Sequence, residues 1–139
     1  MSDFAGWNQK MIDEFRANEG KVGGPFEGAP MIIIHTKGRK SGKTYENPLV
    51  YQDVDGNFAI FASKGGAPEH PDWYRNIVAN PEMEAEVGTE KIKVRARELE
   101  GEEREKIWTK QKERMPGFAE YEEKTKGIRD IPVILLERV

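Results

Sequence analysis

The chain contains no cysteine and only two histidines among its 139 residues. Without cysteine it can form no disulfide, thiolate zinc site, iron–sulfur ligation or cysteine nucleophile. His35 and His70 alone make a poor basis for a metal centre, so we expect no metal site. If the protein is an enzyme, other groups must supply its chemistry.

The chain also lacks a large net charge and long apolar runs. The 22 basic and 25 acidic residues leave a net charge of −3, which provides no general field for holding nucleic acid. The longest apolar run, Met31 to Ile34, is far too short to cross a bilayer, and the N-terminus has neither the basic nor the apolar segment of a signal peptide. These features predict a cytoplasmic protein, and the absence of cysteine fits a reducing compartment.

The length and the 37% hydrophobic content predict one domain over residues 1–139. Residues 1–20 read as an amphipathic helix capped by Ser2. Its apolar side chains recur at three- and four-residue steps: Phe4, Trp7, Met11 and Phe15. We favour a stripe that packs on the core, with covering a ligand or contacting a membrane surface as alternatives. The Gly- and Pro-rich residues 21–30 then predict a loop.

Strand-like segments follow the loop. Residues 31–36 are β-branched, 44–52 are extended around Pro48, and 58–63 follow a turn, so we predict consecutive antiparallel strands. Because Pro48 cannot donate to a strand ladder, its strand should lie at an edge or be interrupted there.

The second half of the chain alternates helices and strands. Pro71 and Pro81 bracket a short helix over 72–79, and alternating apolar residues predict a hairpin of 83–87 with 92–96. Helices are expected over about 102–114, with Ile107 and Trp108 facing inward, and over 118–126. A last strand is expected over 131–137. This pattern predicts an α+β fold: a small antiparallel β-barrel with an N-terminal helix and further helices packed outside.

Two glycine-rich, basic turns are the most unusual local features. Lys37 to Lys43 carries four cations in seven residues, within a stretch from Gly28 to Tyr45 that has no acidic residue. Gly38 and Gly42 allow the backbone to present N–H groups to phosphate or carboxylate oxygens, although a solvated hairpin tip is the alternative. Residues 63–68 place Lys64 beside glycines in the same way. Together they favour one anionic ligand between the segments around Lys40 and Lys64.

Common nucleotide motifs do not account for these turns. The glycines of Gly38 to Thr44 are one residue too close for a phosphate-binding G-x-x-x-x-G-K-[ST] loop, and Pro48 follows where a helix should be. No G-x-G-x-x-G follows a strand, so a Rossmann dinucleotide site is equally unsupported.

The combination of several short segments is more specific than any one of them. These segments are Thr36–Gly42, Asn47–Val50, Ala62–Pro68, Pro71–Asn76 and Ala79–Pro81. In order and spacing they resemble the deazaflavin-dependent nitroreductase family, of the F420H2-dependent quinone reductase type. The likeness runs from about Pro30 to the C-terminus. It implies an FMN-binding-like split β-barrel that binds coenzyme F420.

The resemblance also implies which residues hold the cofactor. F420 carries an anionic phosphodiester and oligoglutamate tail on a flat deazaflavin ring. Arg39, Lys40 and Ser41 would hold the phosphate or tail, and Lys64 would add a second cationic contact. The residues that would border the ring and complete its pocket are Asn47, Pro48, Leu49, Val50, Phe61, Ala62, Ser63, Trp73 and Asn76.

The implied reaction passes a hydride from reduced F420 to a quinone, an activated enone or a similar electron-poor acceptor, with nitro compounds reduced fortuitously. Ser63 and Tyr121 are the candidate proton donors. Residues 115–121 contain one tyrosine where better-known relatives carry several, so the resemblance does not extend to nitro-prodrug activation. A homodimer and a peripheral membrane contact are further expectations. An FMN-dependent oxidoreductase and a non-catalytic F420-binding carrier are the alternatives.

Overall fold

The computed structural model describes residues 4–21 and 30–139. The helices are α1 (Phe4–Ala17), α2 (Asp72–Ala79), α3 (Gly101–Arg114) and α4 (Gly117–Thr125), and a 3-10 turn spans Lys64–Gly66. The strands are β1 (Met31–Lys37), β2 (Thr44–Val50), β3 (Gln52–Val54), β4 (Asn57–Phe61), β5 (Glu82–Val87), β6 (Glu90–Glu98) and β7 (Val133–Arg138). The expected α+β class is confirmed.

The seven strands of the described residues form one curled antiparallel sheet, a half-barrel, in the order β2-β1-β5-β6-β7-β4-β3. The prediction of an edge strand for Pro48 is confirmed, because β2 ends the order and its ladder partner is β1. The predicted antiparallel strands are present: β1 pairs with β2, and Gln52, at the end of the second predicted segment, pairs with Ala59 of β4. β4 pairs with β7, with Ile60 opposite Ile134, and does not pair with β2. Long-range pairing of apolar strands thus overrides chain order.

Helix α1 packs on the sheet, as the apolar stripe predicts. Met11 and Phe15 are buried against Met31 and Ile33 of β1. Their burial removes from water apolar surface that would otherwise be exposed, and this stabilises the packing of α1 on the sheet. Ser2 lies outside the described residues, as do the side chains of Phe4 and Trp7 and residues 22–29 of the expected loop.

Alternate residues of the strands supply two larger clusters, because successive side chains point to opposite faces. Ile34 and Ile60 pack on one face with Trp73 of α2. Phe61 packs on the other with Trp108 of α3, which confirms the inward placement of that tryptophan. Helix α2 is thereby fixed across one face of the sheet, next to the turn that joins β1 to β2.

The ends of the helices and strands lie close to the prolines and turn residues that predict them. Helix α2 has the expected bounds, with Pro71 at its N-cap. The last strand begins at Val133 rather than residue 131, because Pro132 has no N–H to donate. Its carbonyl instead accepts a hydrogen bond from the N–H of Ala62, 3.0 Å away. None of the helices within the described ranges has the length and apolar character needed to cross a bilayer.

Candidate functional site

The β1–β2 turn is closed by its own backbone. The Gly38 N–H donates to the Lys43 carbonyl at 2.7 Å, and the Gly42 N–H donates to the Gly38 carbonyl at 3.0 Å. Gly42 has φ +73°, and a Cβ on Gly38 would lie 2.7 Å from Ser41 Oγ. Gly42 therefore favours the left-handed backbone of the turn, and Gly38 leaves room for the Ser41 hydroxyl.

A buried asparagine on α2 anchors this turn. The Oδ1 atom of Asn76 accepts hydrogen bonds from the backbone N–H of Arg39 at 3.2 Å and from its Nη1 at 2.7 Å. The Arg39 guanidinium also lies 3.6 Å from the carboxylate of Asp72. Because α2 is packed on the core through Trp73, these contacts fix the position of the turn relative to the sheet.

The next two residues of the turn are more open to solvent. Lys40 is exposed, and it forms no ion pair within the part of the chain that the structure describes. Ser41 Oγ accepts a hydrogen bond from the Lys43 N–H at 3.2 Å and lies 3.3 Å from the hydroxyl of Tyr45. A lysine without a protein partner keeps its charge available for a ligand.

A cavity of about 420 Å³ opens between this turn and α2. Six of the residues expected at a cofactor site line it, namely Arg39, Lys40, Ser41, Asn47, Trp73 and Asn76. Gly38, Tyr45 and Asp72 complete the lining. Two cations against one carboxylate leave the cavity positive, and the rings of Trp73 and Tyr45 give it apolar surface. This combination suits a ligand that is both anionic and aromatic.

A hydrogen bond from Thr36 sets the orientation of the Asn47 side chain. The buried hydroxyl of Thr36 donates to Asn47 Oδ1 at 3.0 Å. The amide oxygen is thus occupied, whereas the amide nitrogen has no hydrogen-bond partner within the described ranges. Since Asn47 lines the cavity, its N–H groups can donate to a ligand there.

Five other expected residues do not line the cavity. Pro48, Leu49 and Val50 are half-buried on β2. Phe61 and Ala62 are 5% and 0% exposed and belong to the two cores. With their side chains committed to packing, Phe61 and Ala62 could offer a ligand only backbone groups.

The second glycine-rich turn, residues 62–68, is built differently and contains the remaining two expected residues. Ser63 is 8% exposed and precedes the 3-10 turn. Lys64 adopts φ +48°, and its Nζ lies 2.8 Å from the carboxylate of Glu69. This ion pair holds the pKa of Glu69 below its usual value. The cation predicted beside the glycines is therefore present but already paired within the protein.

Helix α4 lies against the second turn. A Cβ on Gly66 would meet Lys124 at 2.9 Å and the Tyr121 backbone at 3.3 Å. The half-buried Tyr121 ring packs edge-on against Phe118, with centroids 5.3 Å apart. Ser63 and Tyr121, the two candidate proton donors, thus belong to neighbouring elements.

Sequence reasoning missed Arg129, which organises this second turn. Its guanidinium donates to the carbonyls of Ala62, Ser63 and Ala67 at 3.1, 2.9 and 3.1 Å. A fourth contact, of 3.1 Å, reaches Nδ1 of His70. No motif identifies an isolated arginine before a strand, and its partners are carbonyls about sixty residues away.

The other histidine, His35, belongs to an ion-pair network that joins α1 to the sheet. His35 Nε2 lies 2.7 Å from Glu86, and Arg16 pairs with both Glu86 and Glu46. These contacts lower the pKa of Glu86 to about 2, chiefly through the hydrogen bond from Arg16. Ligand atoms of the histidine and both glutamates lie within 4.8 Å of one another. Because the Arg16 guanidinium bonds both carboxylates, the cluster serves as a link between α1 and the sheet.

Comparisons with known proteins extend this description. Residues 7–138 match the family model for F420H(2)-dependent quinone reductase. An F420H(2)-dependent quinone reductase of Mycobacterium tuberculosis strain H37Rv is 32% identical over 128 residues, covering 89% of this chain and 85% of the relative.

Two solved structures also match closely. One is an F420-H2 dependent reductase with 45% identity and a TM-score of 0.70, covering 78% of this chain and 94% of that one. The other, described as a domain-swapped dimer, has 39% identity and a TM-score of 0.72 and covers 97% and 98%. The family match over nearly the whole chain shows that this protein belongs to the F420H(2)-dependent quinone reductase family.

Proposed function

We propose that this protein is an oxidoreductase that uses reduced F420 to transfer a hydride to quinones, activated enones or similar electron-poor acceptors. The carrying observation is the positive cavity beside the Lys37–Lys43 turn, where Asn76 fixes Arg39 and Lys40 remains unpaired within the described residues. Family membership supports the identity of the cofactor.

The donor set of the cavity fits the anionic part of F420. Arg39 and Lys40 provide cations and Ser41 a hydroxyl for the phosphodiester or the oligoglutamate tail. Each charge-assisted hydrogen bond to such a group contributes about 1.5–3 kcal/mol when partly desolvated. Lys64 would contribute a further cation only by sharing or leaving Glu69. We therefore assign the main anchoring role to the first turn.

The cavity also fits a flat ring. Trp73 is nearly buried and provides an apolar surface, and Asn47 offers N–H donors directed by Thr36. In our assignment, the backbone of residues 48–50, on β2, and of residues 61–63, at the end of β4, borders the ring. This role for Phe61 and Ala62 is consistent with side chains that are packed in the core.

When bound, reduced F420 supplies the hydride, so the protein needs no redox group of its own. The chain's tasks are to orient the acceptor at close range and to stabilise the negative charge that develops on the acceptor oxygen. The hydroxyl of Ser63 or of Tyr121 would donate the proton to that oxygen. Ser63 is the more enclosed, and Tyr121 is half-buried beside Phe118.

We further infer that the protein forms a homodimer. The support is the solved structure described as a domain-swapped dimer, which is 39% identical and matches 97% of this chain. Size-exclusion chromatography with light scattering tests this inference, and a single species at the monomer mass would contradict it.

The function is tested by incubating the purified protein with reduced F420 and following oxidation of the cofactor by absorbance after menadione is added. We expect saturable binding and menadione-dependent turnover. Binding without turnover would indicate a carrier instead. Binding of FMN in preference to F420, with turnover supported by reduced FMN, would indicate a flavin enzyme.

A further inference from the structure

The second turn is held by one side chain from a distant part of the sequence. Arg129 follows α4 and uses Nε, Nη1 and Nη2 to reach three carbonyls of residues 62–67. A planar guanidinium carries five N–H donors in a fixed fork, so a single residue can define the relative positions of several acceptors.

This segment needs such support because its backbone is unusual. Lys64 is not glycine, yet it has φ +48°, and Gly66 has φ +86°. A left-handed non-glycine residue persists only where its surroundings determine its conformation. Within the turn itself, the Gly66 N–H donates to Ser63 and the Ala67 N–H donates to Lys64. Arg129 adds three hydrogen bonds to carbonyls of the same stretch.

We infer that Arg129 is the positioning residue of the reductase site, holding Ser63 and Lys64 in place by binding the carbonyls on either side of them. The inference rests on the proposed function for its assignment of this turn to the cofactor. Arg129 bonds the carbonyl of Ser63 itself and that of the preceding Ala62, and its Nε bonds Ala67 beyond Lys64. Losing the fork would therefore displace both residues without removing either side chain.

The charge of Arg129 is secondary to its shape in this role. Its polar contacts are three neutral carbonyls and the Nδ1 atom of His70. Burial even lowers the pKa of Arg129, although Glu69 opposes that effect. A lysine would retain the charge but offers only one nitrogen, which cannot span acceptors on both sides of the turn.

The test compares Arg129→Lys with Arg138→Lys. Arg138 is a matched control because its Nε also donates to a backbone carbonyl, that of Gly56 in the β3–β4 turn, and it lies outside the proposed site. Two measurements are made on both variants and on the unchanged protein: amide hydrogen exchange over residues 62–70, and KM for reduced F420 alongside kcat with menadione.

We expect Arg129→Lys to lose protection at the Gly66 and Ala67 amides, while the β5–β6 hairpin keeps its protection. KM for reduced F420 should rise about threefold, less than the effect we expect at Lys40, because the displaced Lys64 is already paired with Glu69. Arg138→Lys should leave both the exchange and KM unchanged. If Arg129→Lys retained protection at these amides, or changed KM by no more than Arg138→Lys, the inference would be overturned.

The exchange measurement needs no cofactor, which separates this inference from the proposed function. If the unchanged protein neither bound F420 nor oxidised it, the proposed function would fail, and Arg129 would lose its role at the reductase site. Loss of turn order in Arg129→Lys would then show a folding role only. If the unchanged protein is active and Arg129→Lys matches Arg138→Lys in exchange and KM, the proposed function is supported and the proposed role of Arg129 is contradicted.

Discussion

The two glycine-rich turns look alike in sequence but are built in different ways. In residues 37–43 the protein anchors Arg39, through its backbone N–H and its guanidinium, and leaves Lys40 open to the cavity. In residues 62–68 the protein contacts the backbone through Arg129, and the one cation, Lys64, is paired with Glu69. The comparison teaches that a glycine beside a lysine does not by itself mark a ligand-binding cation, because local partners decide whether the charge is available.

The largest expected difference between the turns concerns glycine replacement. In Gly66→Ala the new methyl group would lie 2.9–3.3 Å from α4 at a φ of +86°, whereas at Gly42, with φ +73°, nothing lies within 4 Å. We expect Gly66→Ala to lower the free energy of unfolding by about 3 kcal/mol and Gly42→Ala by about 1 kcal/mol, since only the first adds overpacking to backbone strain. Urea unfolding measures both values, and equal losses would mean that the second turn is not packed against α4.

Removing the anchor of the first turn should have the next largest effect. In Asn76→Ala, the backbone N–H and guanidinium of Arg39 lose their shared acceptor. We expect a loss of about 2 kcal/mol in the free energy of unfolding and at least about tenfold weaker F420 binding. Asn80→Ala is the control, because its contact with the Lys37 carbonyl is long, at 3.5 Å. Similar F420 affinities for the two variants would show that Asn76 does not position Arg39 for the cofactor.

Removing one lysine from each turn compares their contributions to F420 binding directly. We expect Lys40→Ala to weaken F420 binding about tenfold at low salt, without changing stability, because Lys40 loses no ion pair within the described residues. Lys64→Ala should weaken binding less, because Lys64 is already paired with Glu69. Fluorescence titration measures the affinities, with Lys110→Ala on α3 as the control. An equal or larger effect at Lys64 would reverse our assignment of the main anchor.

The smallest expected effect is a dependence of stability on pH that arises at His70, which contacts Arg129 beside the second turn. Burial, Arg129 and Arg75 lower the pKa of His70 below 6.5, opposed by Glu98. Below pH 6.5 the unfolded chain therefore binds a proton that the folded protein resists, so stability falls as the pH drops toward the folded-state pKa. Protonation also removes Nδ1 as an acceptor for Arg129.

Replacing this histidine checks the direction of that effect. His70 also lies with its ring 4.8 Å from that of Tyr74, and Glu69 precedes it in the chain. His70→Asn retains an acceptor but does not titrate, so its stability should fall less than that of the unchanged protein between about pH 6.5 and pH 5. Parallel stability curves over that interval would contradict the assignment to His70.

Individual helices and hairpins could be predicted from the sequence because residues close together in the chain define them. Pro71 and Pro81 bracket α2, and alternating apolar residues define the β5–β6 hairpin. The sheet order could not be predicted in this way. Pairing of β4 with β7 joins segments more than seventy residues apart, and periodicity shows which face of a strand is apolar but not which strand lies beside it.

The same contrast between local and long-range information applies to the candidate site. Residues of the first turn, of β2 and of α2 could be predicted because motif resemblance identifies contiguous segments, and six of them line one cavity. Whether Lys40 and Lys64 converge on one ligand stays a prediction. The roles of Arg129 and Thr36 could not be predicted, because each acts through hydrogen bonds to groups that the fold brings near.

The central claim, that the first turn holds the anionic part of the cofactor, is tested most directly by one titration series. Intact F420 and a truncated deazaflavin without the phosphodiester and glutamates are each titrated into the unchanged protein and into Lys40→Ala. We expect the substitution to weaken binding of intact F420 about tenfold and to leave the truncated ligand's affinity unchanged. Equal weakening of both ligands, or of neither, would contradict the claim.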